Sequence, residues 1–252
     1  MTPIRWLLSL IFIVQMYLVM ALAAVVFAIP ALLSRNMAFV GVHFYCAWVR
    51  RSAALLIGLR SEIRGPVPQT EVLIAAKHQS FFDIILLCSV LPRPKFIMKR
   101  ELIWTPFLGQ YALRIGCIPV DRGKRGAAIT RMKADVARGT TQPGQLVIYP
   151  QGTRVAPGDT LPYKMGTGLL YGQLGQSCVP AATNVGVFWP KRGILRQPGL
   201  AVIEFLPAIA PGLPVPEFMR QVESTVEAAS LRLMREAGWH PPGAGTATQK
   251  TD

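Results

Sequence analysis

A histidine and an aspartate five residues apart are the first candidates for chemistry in this sequence. His78 and Asp83 lie in the run K-H-Q-S-F-F-D, which follows a strand-like apolar stretch and opens a helix-like one. Five residues of helix turn through about 500°, so the two side chains cannot share a helix face. With His78 in the preceding loop, the chain can fold back to bring the imidazole to Asp83. The helix N-terminus would keep this carboxylate ionised, and the carboxylate would fix the imidazole tautomer. The pair therefore predicts a base that deprotonates a hydroxyl of the substrate.

Asp83 also has a purely structural interpretation. Ser80 and Asp83 have the S-x-x-D spacing of a capping box, in which Ser80 is the N-cap and Asp83 the third helical residue. This interpretation accounts for the carboxylate. It does not account for His78, which comes two residues before the cap.

Two arginines end other strand-like runs. Arg122 closes G-C-I-P-V-D-R, and Arg154 closes Y-P-Q-G-T-R, in which Gly152 allows the backbone to approach a ligand closely. Ligands of α/β proteins collect at the carboxyl ends of strands, and arginine binds phosphate in a forked geometry. The alternative for each arginine is a surface ion pair, and Arg122 could simply pair with Asp121.

The first 60 positions are mostly apolar. Residues 6–33 contain no charged side chain, and as a helix they span about 42 Å against a hydrocarbon core of about 30 Å. Pro30 could kink this segment, so a tilted or re-entrant helix is an alternative to a straight span. A cleavable signal peptide would need a shorter apolar region. A second apolar stretch, residues 37–59, completes a predicted helical hairpin.

The composition narrows the class of partner. The chain has 252 residues, 51% of them hydrophobic, with 27 Lys plus Arg against 13 Asp plus Glu. It is too apolar for a disordered protein, and its cysteines are too far apart for a zinc or redox pair, so they are expected to be reduced and buried. A nucleophilic Cys117 is disfavoured, because it lies in an apolar run without a neighbouring histidine.

Zinc-finger spacing, an RNP-like pattern and a basic helix are all absent from the sequence, which excludes the common nucleic-acid-binding classes. An anionic membrane surface fits better, with basic residues beside the hairpin that would contact headgroups or follow the positive-inside rule, namely Arg35, Arg50, Arg51, Arg60 and Arg64.

The remainder of the chain alternates strand-like and helix-like segments, which predicts a layered α/β domain with a mostly parallel or mixed sheet. The strand-like runs are residues 72–76, 96–98, 117–120, 146–149, 179–184 and 201–206, and the helix-like segments are 80–91, 126–138, 166–175 and 216–235. In the last helix, apolar residues recur at spacings of three and four, which predicts a face packed on the core. The predicted organisation is a membrane hairpin over residues 1–64, a catalytic domain over 65–238 and a disordered tail over 239–252.

The motifs together resemble the lysophosphatidic acid acyltransferase (1-acylglycerol-3-phosphate O-acyltransferase) family. H-x4-D, G-x-I-x-V-x-R, P-x-G-T-R and V-P occur in the family's order between residues 77 and 184. Lys99, Glu101, Pro106 and Gly109 also resemble the family's K-x-E-L…P…G stretch. The family places a two-helix membrane motif before its catalytic α/β domain, as predicted here.

The resemblance implies acyl transfer from acyl-CoA or acyl-carrier protein to the sn-2 hydroxyl of lysophosphatidic acid, giving phosphatidic acid. His78 would be the base and Asp83 would orient it. The phosphate would be bound by Arg122 and Arg154, with Lys99 as a third contact, and the substrate-binding loop would be formed by Gln151, Gly152 and Thr153. The resemblance implies neither a metal nor a prosthetic group. The substrates would be membrane lipids. The basic residues beside the hairpin predict, on either interpretation, that the catalytic domain lies on the cytoplasmic face of the inner membrane.

One residue departs from the family pattern. The third motif usually reads E-G-T-R, whereas this chain has Gln151, which cannot act as a base or form an ion pair. The departure leaves open another acceptor, such as lyso-ornithine lipid. A non-catalytic protein that binds anionic lipids is an alternative of a different class, although it does not explain His78 and Asp83. Acyl-chain length and the choice of donor are not determined by the sequence.

Overall fold

The N-terminal region forms the predicted helical hairpin. The computed structural model describes residues 3–121, 134 and 143–241. Helix α1 (Pro3–Val26) and the short α2 (Ala28–Leu33) precede α3 (Arg35–Ile57), which packs against α1. The break between α1 and α2 has a direct cause, because Pro30 lacks the amide hydrogen that would bond to the carbonyl of Val26.

The described residues contribute seven strands to one sheet in the order β1-β7-β6-β2-β5-β3-β4. Neighbouring strands are parallel except for β6 and β7. The carboxyl ends of β2 to β6 therefore meet along one edge of the sheet, called here the carboxyl edge. The strands are β1 (Leu59–Arg64), β2 (Leu73–Ala76), β3 (Pro94–Lys99), β4 (Ile118–Val120), β5 (Gln145–Ile148), β6 (Cys178–Thr183) and β7 (Gly199–Phe205).

Helices cover both faces of the sheet, as the all-buried residues of the central strands require. In β2, Ile74 and Ala76 join the core on the face of the sheet that the hairpin covers, whereas Leu73 and Ala75 join the core on the face that the last helix covers. The stripe predicted for the last helix is confirmed, because Phe218, Val222, Val226 and Leu233 are fully buried. The remaining elements are α4 (Phe82–Val90), a 3₁₀ turn (Arg100–Trp104), α5 (Leu108–Arg114), α6 (Gly166–Leu174), α7 (Val185–Phe188) and α8 (Val215–Glu236).

The α/β class and all six predicted strands are confirmed, but the predicted domain boundary requires correction. Strand β1 lies within the segment assigned to the hairpin, so the sheet starts at Leu59 and not after residue 64. The sequence signal for β1 was weak because β1 is an edge strand, and an edge strand can carry polar residues that contact solvent. The helix expected at 126–138 lies outside the described residues except for Ala134. The tail expected to be disordered, residues 239–252, also lies outside them beyond residue 241.

The arginines beside the hairpin divide into two groups. Arg35 and Arg50 donate to groups within the protein, and Arg64 pairs with Glu62 and Glu236. Arg51 and Arg60 are exposed. Only part of the predicted cluster is therefore available to lipid headgroups, because backbone carbonyls, serines and acids engage the rest.

Candidate active site

The structure brings His78 and Asp83 together. His78 lies in the loop after β2, Asp83 in the first turn of α4, and the distance from His78 Nδ1 to Asp83 Oδ1 is 2.9 Å. A carboxylate only accepts, so Nδ1 carries the proton and Nε2 has a free lone pair. Within the described part of the chain Nε2 makes no hydrogen bond, and the His78 side chain is 13% exposed. The imidazole can therefore accept a proton from a hydroxyl placed at Nε2.

Asp83 is fully buried, and four donors satisfy it. Its Oδ2 accepts the backbone N–H groups of Gln79 and Ser80, both at 2.8 Å, and its Oδ1 accepts from His78 and from the Tyr149 hydroxyl at 3.2 Å. Two backbone donors on one oxygen fix the orientation of the carboxylate. The predicted capping box is only half formed. Asp83 bonds back to Ser80 N–H, but α4 starts at Phe82, and the Ser80 hydroxyl accepts from Phe82 N at 3.3 Å.

The loop after β5 is tied directly to the histidine loop. The backbone N–H of Val155 donates to the carbonyl of His78 at 2.8 Å, so Arg154 is one residue from a contact with His78. Gly152 has a φ of +71°, a left-handed backbone conformation that residues with a Cβ rarely adopt, so the turn favours glycine. Within the described residues no acid pairs with the Arg154 guanidinium, which is half-buried.

The other residues of this loop have different surroundings. Gln151 is buried, and its Nε2 donates to the carbonyl of Leu161 at 3.1 Å, so the amide closes the loop over residues 151–161. An ionised glutamate could not donate to that carbonyl, which gives the departure from E-G-T-R a structural reason. Thr153 is half-buried at the same edge.

Of the other two predicted phosphate ligands, Lys99 and Arg122, the structure describes only Lys99. Lys99 ends β3, next to β5, so it lies at the carboxyl edge with Arg154. Its Nζ is 3.0 Å from Glu101 Oε1, so it is already paired on the surface. Arg122 lies outside the described residues.

The role of Tyr149, which follows β5, was not predicted from the sequence. Its ring stacks on the His78 imidazole with centroids 3.9 Å apart and an interplanar angle of 15°, and its hydroxyl donates to Asp83. Burial and the neighbouring Asp83 charge raise the pKa of Tyr149 well above its ordinary value, so the hydroxyl stays protonated. The only available signal was the position of Tyr149 at the start of the P-x-G-T-R motif.

An aromatic cluster connects this site to the hairpin. Trp189 stacks on Phe82 of α4 at 5.2 Å and meets Phe12 of α1 edge-on at 5.4 Å. Ser9 of α1 also accepts a hydrogen bond from the backbone of Arg196, in the loop before β7. The N-terminal end of α1 therefore lies at the carboxyl edge, beside the candidate site.

An ion pair with a buried lysine holds α8 against the loop that carries His78. Lys77 is almost fully buried, and its Nζ is 2.7 Å from both carboxylate oxygens of Glu227. The Tyr163 hydroxyl donates to the same carboxylate at 2.9 Å. The contact connects β2, α8 and the loop that follows Arg154.

Lys77→Met is expected to lower the stability of the protein by about 1–3 kcal/mol, because it leaves the Glu227 carboxylate without its cation. Glu227 keeps partial contact with water, so the loss is smaller than for a fully buried pair. Thermal unfolding in detergent would measure the effect. The double variant Lys77→Met/Glu227→Met should recover part of the loss, and a Tm within one degree of wild type for Lys77→Met would contradict the expectation.

The cysteines do not supply a nucleophile. All four are free and buried, as expected from their spacing. Burial raises the pKa of the Cys117 thiol to about 12, and its Sγ accepts from the backbone of Phe96. Over the described ranges, no three His, Cys, Asp or Glu residues are grouped as metal ligands would be.

Comparisons with known proteins assign the chain to a family. Residues 59–184, half of the chain, match the sequence model of the Acyltransferase family. The chain is 28% identical over 167 residues to the 1-acyl-sn-glycerol-3-phosphate acyltransferase of Pseudomonas aeruginosa, covering 66% of this chain and 64% of that protein. It is 31% identical over 179 residues to the human 1-acyl-sn-glycerol-3-phosphate acyltransferase beta, covering 69% and 62%. The chain thus spans somewhat less than two thirds of each of these relatives.

The fold also matches a solved structure. The crystal structure of the 1-acyl-sn-glycerophosphate (LPA) acyltransferase of Thermotoga maritima superposes with a TM-score of 0.74 at 18% identity, covering 91% of this chain and 97% of the other. At this identity the match concerns the fold.

Proposed function

The chain belongs to the Acyltransferase family, and on that premise we propose that it acylates the sn-2 hydroxyl of 1-acylglycerol-3-phosphate, giving phosphatidic acid. The observation that carries the proposal is the His78–Asp83 pair at the carboxyl edge, whose Nε2 makes no hydrogen bond to any described residue. The names of its relatives support the acceptor class. The non-catalytic alternative is set aside because the chain belongs to an enzyme family.

The proposed reaction uses the imidazole twice. His78 Nε2 takes the proton of the acceptor hydroxyl while the oxygen attacks the carbonyl carbon of the acyl thioester. Asp83 accepts from Nδ1–H and stabilises the imidazolium. The tetrahedral intermediate then expels the thiolate, which takes the proton from Nε2, so the ester and the free thiol leave with the histidine restored. The donor is acyl-CoA or acyl-carrier protein, and the scheme includes no metal or prosthetic group.

Arg154 is proposed to bind the acceptor phosphate, together with Lys99 and Arg122. The guanidinium of Arg154, which pairs with no acid among the described residues, lies one residue from the backbone contact between Val155 and His78, and this supports the role. Gly152 and Thr153 shape its loop. A phosphate bound here would place the glycerol hydroxyls close to the imidazole.

Arg154→Gln is expected to raise the KM for 1-acylglycerol-3-phosphate about 10- to 100-fold, because it removes a charge-assisted contact worth about 1.5–3 kcal/mol. Monoacylglycerol, which lacks the phosphate, should be used equally well by both proteins. Arg220→Gln, the same change at an exposed position of α8, serves as the control. An unchanged KM in steady-state assays would refute the phosphate assignment.

The protein is proposed to act on the cytoplasmic face of the inner membrane. Helix α1 is long and apolar enough to cross a membrane by length and composition. Only 22% of the residues in its most apolar 18-residue stretch are buried. Large apolar side chains of α1 and α2 point outward, among them Leu18, Leu22, Leu32 and Leu33. Because α1 begins beside the carboxyl edge, membrane-bound lysolipid would reach His78 without leaving the interface.

An assay of purified protein with several donors and acceptors tests the proposal. Acyl-CoA and acyl-carrier protein would each be offered with 1-acylglycerol-3-phosphate, lyso-ornithine lipid and monoacylglycerol. We expect phosphatidic acid as the main product, together with one free thiol per ester. Preferred acylation of lyso-ornithine lipid would replace the acceptor assignment, and no acyl transfer with any pair would overturn the function.

A further inference from the structure

Tyr149 contacts both members of the proposed catalytic pair. The faces of its ring and of the His78 imidazole are almost parallel at 3.9 Å, while its hydroxyl lies 3.2 Å from Asp83 Oδ1. Phe96 of β3 stacks with the same tyrosine at 6.2 Å. The phenol is therefore held directly after the central strand β5, with its ring on one catalytic group and its hydroxyl on the other.

The hydroxyl shares an oxygen that His78 also uses. Asp83 Oδ1 accepts hydrogen bonds from His78 Nδ1 at 2.9 Å and from the Tyr149 hydroxyl. Its Oδ2 accepts hydrogen bonds from two backbone N–H groups. Each additional donor on Oδ1 disperses its negative charge and weakens its attraction for the imidazole proton.

We propose that Tyr149 is a positioning residue of the acyl transfer, whose ring holds the imidazole in plane and whose hydroxyl limits how strongly Asp83 holds the Nδ1 proton. The inference rests on the proposed function of the His78–Asp83 pair. Tyr149 acts through these two residues and need not touch the substrate. The tyrosine therefore leaves the chemical steps unchanged, and it affects the rate of the reaction and the pH range in which the reaction occurs.

The groups facing this contact give the expected pH dependence its sign. They are His78 from the loop after β2, Asp83 and the Cys88 thiol from α4, and Tyr149 itself. A hydrogen bond with Cys46 and burial raise the pKa of Cys88 well above its ordinary value, so it stays neutral, as Tyr149 does.

Tyr149→Phe keeps the ring and removes the donor. Asp83 Oδ1 is then left to His78 alone, and the imidazole holds its added proton more tightly. The acidic limb of kcat/KM should therefore move to higher pH by about 0.5–1 unit, while the plateau rate stays within about threefold of wild type. Tyr149→Leu also removes the ring, and kcat should fall a further 10- to 100-fold because the imidazole loses its support.

The experiment compares pH profiles of kcat and kcat/KM for wild type, both Tyr149 variants and Tyr163→Phe, all with one acceptor so that ionisation of the substrate cancels. Tyr163 is the matched control, since its hydroxyl also donates to a carboxylate, that of Glu227. Its variant should keep the wild-type profile. Thermal unfolding would be recorded for each protein, and if Tyr149→Leu unfolds, the Phe variant alone decides.

An acidic limb in Tyr149→Phe that coincides with the wild-type limb would overturn the role of the hydroxyl. Equal kcat in the Phe and Leu variants would overturn the role of the ring. Either result leaves the proposed function standing if His78→Ala is inactive. If instead His78→Ala turns over normally, the proposed function itself fails, so the two failures are distinguishable.

Discussion

His78→Ala is expected to lower kcat at least about 1,000-fold, because it removes the base that takes the proton from the acceptor hydroxyl. Its neighbours cannot replace it. Asp83 is fully buried with its four hydrogen bonds directed at the protein, and Tyr149 stays protonated because burial and the Asp83 charge raise its pKa. Release of the free thiol and formation of the ester, measured together, would give the rate.

The fold should survive this change. The described contacts of the His78 side chain are the bond to Asp83 and the stacking on Tyr149, and Asp83 retains three donors in the variant. His43→Ala is the matched control, since His43 contacts the Leu91 carbonyl away from the pair. A His78→Ala protein with more than a tenth of wild-type turnover and a normal Tm would exclude the imidazole as the base.

Asp83→Asn is expected to be almost as damaging, with kcat lowered about 1,000- to 10,000-fold, as the equivalent change does in a Ser-His-Asp triad. The two backbone N–H groups at 2.8 Å would hold the amide oxygen in place of Oδ2. The amide nitrogen would then donate to His78 Nδ1. This forces the imidazole proton onto Nε2, the atom that must be free to accept from the hydroxyl.

This result should appear in kcat with little change in KM, because Asp83 does not reach the acceptor in the proposed scheme. Asp159→Asn makes the same chemical change at an exposed position and should behave as wild type. A rate for Asp83→Asn within fivefold of wild type, in protein that unfolds at the normal temperature, would show that Asp83 does not set the tautomer.

The alternation of strand-like and helix-like segments was sufficient to predict the α/β class and six of the strands, because buried parallel strands read as short apolar runs. Strand β1 was not predicted from the sequence, because it lies at the sheet edge, where charged residues can contact water and no apolar run is needed. Helices α5 and α7 were also missed, since short helices carry too few turns for a periodic signal.

The sequence by itself determined the chemistry-bearing residue types, since His78, Asp83 and Arg154 could be proposed from motif spacing and from the shared carboxyl edge of parallel strands. Only the tertiary structure decided what surrounds them. Tyr149 stacks on His78 across 71 residues of chain, Lys77 pairs with Glu227 across 150, and Gln151 turns inward to Leu161. Local patterns encode backbone conformation and the burial of a face. Contacts between distant segments depend on the order of the strands in the sheet and on how side chains pack against one another across the sheet. The spacing of neighbouring residues predicts neither.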